Sequence, residues 1–314
     1  MQAPETIVAE EHWADKRGVR LWLCRKFVGD RGARRPLLFL VHGSSYSSKT
    51  MFDLQVPGRI GYSMMDHFAA LGYEVWTVDH EGYGRSDRTA GWSDIACGVA
   101  DLAAAMQVVQ QVSGQSSAAF FGQSSGALRA ACFASEHPAQ VERLALDAFV
   151  WTGKDAPTLV NRARMLSQLQ ASNVRTVDAA FYASVFTRDH AGAAEAMLGQ
   201  TVARAELEHG HTIPNGTYLD MVSKLPLVDP ARLRCPVLLL RAEHDGIATE
   251  EDLMAFFARL PQADKQYVRL GGLAHTALLG VNRHRLYHAL QAFLTLPAII
   301  DIDSPSAHLP SSAA

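Results

Sequence analysis

Ser124 stands at the centre of Gly122-Gln123-Ser124-Ser125-Gly126, a G-x-S-x-G pentapeptide. A serine flanked in this way can attack a carbonyl carbon, provided the chain exposes its hydroxyl and a base takes its proton. The neighbouring residues specify such a turn. Ala118-Ala119-Phe120-Phe121 reads as a short buried strand, and the Ala-rich stretch after Gly126, through Leu128 to Ser135, reads as a helix. A strand reversing so sharply into a helix crowds the positions two before and two after the serine, which is where the glycines stand. The helix N-terminus beneath the hydroxyl then favours the negative charge that develops during attack.

Four further segments carry residues of chemical interest at strand ends. Pro36-Leu37-Leu38-Phe39-Leu40-Val41 is a buried-strand run followed at once by His42-Gly43-Ser44-Ser45. Tyr73 to Asp79 is another, leading into His80-Glu81-Gly82-Tyr83-Gly84-Arg85-Ser86-Asp87. These glycines do not make a dinucleotide site, which needs G-x-G-x-x-G opening a helix directly after the first strand. Cys235 to Arg241 runs into Ala242-Glu243-His244-Asp245-Gly246-Ile247, and Gln266 to Leu270 into Gly271-Gly272-Leu273-Ala274-His275.

Together with the pentapeptide, these segments resemble the α/β-hydrolase superfamily over roughly residues 6–294. The resemblance rests on the H-G turn, the strand ending in aspartate with its G-x-G-x-S loop, and the chain order Ser…Asp…His. It implies an α/β fold: a mostly parallel eight-stranded sheet flanked by helices, with a helical cap inserted after strand 6. It also implies roles. Ser124 is the nucleophile, His275 its base, and Asp245 the acid that orients the imidazole. The backbone amides of Ser44 and Ser125 form the oxyanion hole, with Ser45 as second choice for the first donor. His42 is expected to brace its loop. Ser125 is an alternative nucleophile, and Asp147 and Glu243 are alternative acids. His209, His211, His284 and His288 lack a matching set of cysteines or carboxylates, so no metal is expected. This mechanism needs no cofactor.

Between Asp147 and Val228 the strand–helix alternation gives way to helical spacing: Leu159, Ala163, Leu166 and Leu169, then Val177, Phe181 and Val185. Thr212 to Gly216 reads as a turn, with a helix from Thr217. The expected organisation is a core over 1–148 and 229–297, a cap over 149–228, and a flexible tail over 298–314. A cleft between core and cap is where a ligand would sit. Candidate pocket residues are Ser45, Tyr46, Phe149, Trp151, Phe181, Tyr182, Phe186, Tyr218 and Met221, which suggest a mostly apolar substrate. Met51 and Phe52 join them at the entrance rim. No arginine stands out as a carboxylate partner.

Of the 314 residues, 48% are hydrophobic and 19% charged, and a net charge of −3 provides no basic field for nucleic acid. The Arg31 to Arg35 cluster reads as a solvated turn. Residues 1–11 lack the apolar core of a signal peptide, and no stretch approaches a membrane span. Cys24, Cys97, Cys132 and Cys235 are scattered like buried free thiols. A cytoplasmic enzyme acting on a small molecule is the simplest expectation; oligomeric state is not legible. The leading activity is hydrolysis of a carboxylic ester or lactone. Carbon–carbon, amide and acyl-transfer chemistry share the triad, and a non-catalytic ligand receptor is the alternative of a different class.

Overall fold

The computed structural model describes residues 6–299; most of the expected tail lies outside them. Ten strands occur, β1 (Ile7–Lys16), β2 (Val19–Val28), β3 (Leu37–Val41), β4 (Glu74–Val78), β5 (Ala118–Gln123), β6 (Val141–Asp147), β7 (Val174–Thr176), β8 (Thr212–Pro214), β9 (Val237–His244) and β10 (Lys265–Ala274). Eight of them form one sheet in the order β1-β2-β4-β3-β5-β6-β9-β10. β2 pairs antiparallel with β1 and β4; the remaining pairs are parallel.

The central strands are buried throughout and mostly apolar because helices cover both faces. Alternation sorts their side chains. Phe39, Val41, Trp76 and Phe120 join the core on one face, while Leu38, Leu40, Val75 and Phe121 join the other. The helix Ile95–Ser113, capped by the Asp94 carboxylate on the Cys97 amide and closed by Gly114 in the left-handed region, packs against the helix Ser125–Glu136 and the sheet. It is 19 residues long with mean hydropathy 1.3, so the chain does hold one stretch of near-membrane length; half of it is buried inside the fold.

The β1–β2 hairpin turns through Arg17 and Gly18, both at positive φ. After it, Arg35 is not solvated: its guanidinium is buried against Phe27 and donates to the carbonyls of Val28, Asp30 and Ala33, bracing the turn from inside. Burial pushes the Cys24, Cys97 and Cys132 thiols up to about 12, which leaves them unreactive.

Between β6 and β9 lie the helices Pro157–Ala163, Leu166–Ala171, Ala179–Thr187, Leu198–Leu207 and Gly216–Ser223. Thr212–Pro214, read from sequence as a turn, is a short strand because it pairs antiparallel with β7. The segment is tied to the core at its start, where Asp252 accepts from the Trp151, Thr152 and Gly153 amides, and at its last helix, where Asp220 accepts from the Ile95 amide.

Candidate active site

β5 ends at Gln123, and Ser124 turns the chain into the helix Ser125–Glu136 with φ 58° and ψ −123°. That positive-φ conformation, outside the ordinary left-handed well, costs a non-glycine residue about 1–3 kcal/mol. The surroundings enforce it. A Cβ on Gly122 would lie 2.5 Å from the Gly126 carbonyl oxygen, and one on Gly126 only 2.2 Å from that of Val41. The Ser124 amide donates to the Asp147 carbonyl at 2.8 Å, tying the elbow to the end of β6.

His275 directly follows β10 and Asp245 directly follows β9, so parallel pairing delivers both to the edge that carries Ser124. His275 Nδ1 lies 3.2 and 3.3 Å from the two Asp245 carboxylate oxygens. Oδ1 also accepts from the Ile247 and Ala248 amides at 2.8 and 3.2 Å. Burial alone would raise the Asp245 pKa; His275 and these amides outweigh it and hold the group below its ordinary value. Ser124 and His275 line one cavity, and among the described residues no hydrogen bond joins their side chains.

The other carboxylates sit differently. Both Asp147 side-chain oxygens are buried without a partner, and burial, reinforced by Asp245, pushes its pKa well above the usual range. Burial thus favours the protonated form of Asp147. Glu243 is half exposed and accepts from the Gly272 amide. Gln123, to which the sequence pattern assigns no role, donates its side-chain amide to the His275 carbonyl at 2.9 Å.

On the opposite side of Ser124, the Ser44 and Ser125 hydroxyls meet at 2.7 Å. The Ser44 carbonyl accepts from Arg175 at 2.8 Å and Tyr83 at 3.3 Å, which fixes the orientation of its loop. Among the described residues the Ser44 amide has no acceptor, and the Ser125 amide opens a helix, where N–H groups lack intrahelical partners. His42 is fully buried: Nδ1 donates to the Gly43 carbonyl and Nε2 accepts from the His80 amide. Burial, with the neighbouring His80 and Arg129, keeps it neutral.

Ser124 and His275 face a narrow cavity, about 450 Å³ of empty space including its mouth. Ser44, Ser45, Tyr46 and Met51 line it. Phe181 and Tyr218 line a second, wider cavity of about 1480 Å³ among the helices between β6 and β9. Five other candidates pack elsewhere. Phe149 and Trp151 lie on Phe256, Tyr182 and Phe186 back the Tyr46 ring, and Met221 is buried in the core. Phe52 also belongs to the core.

Arg162 and Arg188, unforeseen from the sequence, line both cavities. Arg162 and Arg175 each place a guanidinium carbon 3.7 Å from the Tyr218 ring centroid, so the ring is sandwiched between them. Burial opposes ionisation of the Tyr218 phenol, but these two cations bring its pKa down to about 7. Away from this site, Glu81, Cys97 and Asp101 gather ligand atoms within 4.8 Å of one another. The Lys16 ammonium already sits among them, 2.6 Å from Glu81 and 3.1 Å from the Cys97 sulfur.

No curated protein matches this chain by sequence. Among solved structures, an esterase from Exiguobacterium antarcticum aligns with TM-score 0.68 at 14% identity, over 91% of this chain and 99% of its own. The enol-lactonase of Burkholderia xenovorans LB400 aligns with TM-score 0.63 at 17% identity, over 91% and 100%. The 2-hydroxy-6-oxo-6-phenylhexa-2,4-dienoate hydrolase of Rhodococcus sp. strain RHA1 aligns with TM-score 0.66 at 14% identity, over 92% and 99%. At such identities the likeness is one of fold. A family model described as serine aminopeptidase, S33 matches residues 34–280, well over half of the chain. The chain belongs to that family, Hydrolase_4, of the α/β-hydrolases, and is a hydrolase.

Proposed function

We propose that this hydrolase cleaves a carboxylic ester or lactone through an acyl-enzyme on Ser124. The observation that carries the reading is the disposition of His275: its Nδ1 faces Asp245, while its ring and Ser124 line one cavity. With Nδ1–H held by the carboxylate, Nε2 is the basic nitrogen and takes the Ser124 proton as Oγ attacks the carbonyl carbon. Asp245 steadies the imidazolium that results. The Ser44 and Ser125 amides receive the oxyanion, each such donor contributing about 10²–10³ in kcat. His275 then protonates the departing alcohol oxygen, and a water activated by the same nitrogen releases the acid. The helical segment 149–228 acts as the cap that selects the substrate, a role supported by the second cavity it lines.

The test pairs the protein with its Ser124→Ala variant, using a fluorophosphonate probe and short-chain p-nitrophenyl esters. Labelling and turnover by the parent protein, with labelling abolished and turnover lowered about 10⁴-fold or more in the variant, is expected. Turnover retained in a folded Ser124→Ala protein would overturn the assignment. Labelling without ester turnover would move the reaction to carbon–carbon or amide cleavage by the same serine. Ligand binding with neither labelling nor turnover would point to a receptor.

A further inference from the structure

Arg162 and Arg188 bring two guanidinium groups into the cavity that holds Ser124 and His275. Their hydrogen-bonding capacity is largely unspent. Arg162, on the helix Pro157–Ala163, stacks on Tyr218 through its face, and among the described residues no oxygen accepts from any of its five N–H groups. Arg188 is engaged on one edge, its Nε and Nη2 each 3.1 Å from an Asp189 carboxylate oxygen, and among the described residues nothing accepts from its Nη1. Its side chain is 29% exposed, the rest covered by its neighbours. Arg175 is spent on the Ser44 and Pro214 carbonyls and the Asn215 side chain.

The charges around the cavity do not balance. Three guanidinium groups surround Tyr218, and the nearby anions are Asp189 and a phenol ionised only in part near neutral pH. Burial and the neighbouring Arg188 and Arg175 depress the Arg162 pKa to about 10, although Tyr218 and Asp189 act the other way. Burial is the main cause of that depression, and an anion in the cavity would offset it. The unspent Arg162 fork and the Arg188 Nη1, in the same cavity as the nucleophile, match an anion with planar oxygens.

We propose that the substrate carries a second, non-reacting carboxylate, bound by Arg162 and Arg188 while its ester or lactone carbonyl lies at Ser124. This deepens the serine-hydrolase reading and rests on it. It also replaces the expectation of a mostly apolar substrate: Tyr46, Met51, Val185, Leu278 and Leu279 supply the apolar walls of the inner cavity, and the arginines supply a charged end.

The experiment compares two esters of matched acyl length, mono-p-nitrophenyl glutarate and p-nitrophenyl pentanoate, on the parent protein and on Arg162→Gln and Arg188→Gln. The parent protein should favour the anionic ester at least 10-fold in kcat/KM. Each variant should cut that ratio at least 5-fold, chiefly through KM for the anionic ester. Equal use of the two esters by the parent protein, or a ratio unchanged in both variants, overturns the proposal. Because either variant could fold poorly, calorimetric titration of glutarate and of the neutral 1,5-pentanediol into the parent protein runs alongside. Binding of the dianion alone supports the arginine pair, and binding of neither overturns it. Fluorophosphonate labelling of Ser124 separates the two levels: labelling without anionic preference removes only the carboxylate site, whereas no labelling and no turnover removes the serine-hydrolase reading itself.

Discussion

The residue before the nucleophile holds the loop of the proposed base: the Gln123 side-chain amide donates to the His275 carbonyl across 2.9 Å. Ser124 and His275 lie 151 residues apart in sequence, and this bond fixes one segment against the other without involving the imidazole. Gln123 is buried, so the bond is shielded from water. Gln123→Ala should therefore let the loop relax, lowering kcat for p-nitrophenyl esters about 10-fold or more with little change in KM. Gln123→Glu, which keeps the shape but loses the donor, should behave like the alanine variant. Full activity in Gln123→Glu would show that the bond does not position His275.

Two aspartates share the buried end of the sheet and are pushed in opposite directions. His275 and two amides lower the pKa of Asp245, while burial and Asp245 itself raise that of Asp147. Asp245→Asn should lower kcat by about 10⁴-fold through the wrong imidazole tautomer. Asp147→Asn replaces a carboxyl pushed towards its protonated form by a neutral amide and should change kcat less than about 3-fold. The reverse ranking in two folded variants would transfer the acid's role to Asp147.

Ser124 carries backbone strain that glycine would not. Its φ of 58° lies where a Cβ is disfavoured, and ψ of −123° places it outside the ordinary left-handed well. Ser124→Gly should exceed Ser124→Ala in unfolding free energy by about 1 kcal/mol, despite the greater freedom of glycine in the unfolded chain. Urea unfolding of the two inactive proteins measures this. An alanine variant as stable as the glycine one would mean the turn is unstrained.

What could be read in the sequence followed from local chemistry. The mostly apolar runs of β3, β5 and β9 end beside the H-G turn, the G-x-S-x-G pentapeptide and Asp245, so strand ends in the sequence point to Ser44, Ser124 and Asp245 as candidates. The cap was harder. Helical spacing at Leu159, Leu166 and Leu169 reveals helices but not which of their polar residues face a cavity, so no arginine stands out in the sequence. Only the stacking of Arg162 and Arg175 on Tyr218 shows that these side chains turn inward. Aromatic residues misled for the complementary reason: Phe149, Trp151 and Phe186 are large enough to satisfy themselves against other rings, and they pack there. Arg35 failed as a surface residue because three backbone carbonyls of a tight turn can solvate a guanidinium as well as water does.

Glu206 ties the helix Leu198–Leu207 to the loop after Ser44, its Oε1 accepting from the Ser47 amide at 2.9 Å and the Ser47 hydroxyl at 2.6 Å. Burial, against the pull of these bonds, raises its pKa from 4.5 to about 7. Between those two values the folded protein holds a proton that the unfolded chain has released, so stability falls as pH rises. The contribution is complete below pH 4.5 and gone above about 7, a difference of up to about 3 kcal/mol from a shift of this size. Asp79, buried nearby with its own pKa raised, adds a slope of the same sign. Glu206→Gln keeps the Oε1 acceptor and removes the titration. Urea unfolding at pH 5, 6, 7 and 8 should show the parent protein losing stability more steeply than Glu206→Gln across pH 5–7, with the two curves parallel above it. Equal slopes throughout would mean that Glu206 is ionised in the folded protein at pH 5, and that the Ser47 donors outweigh burial.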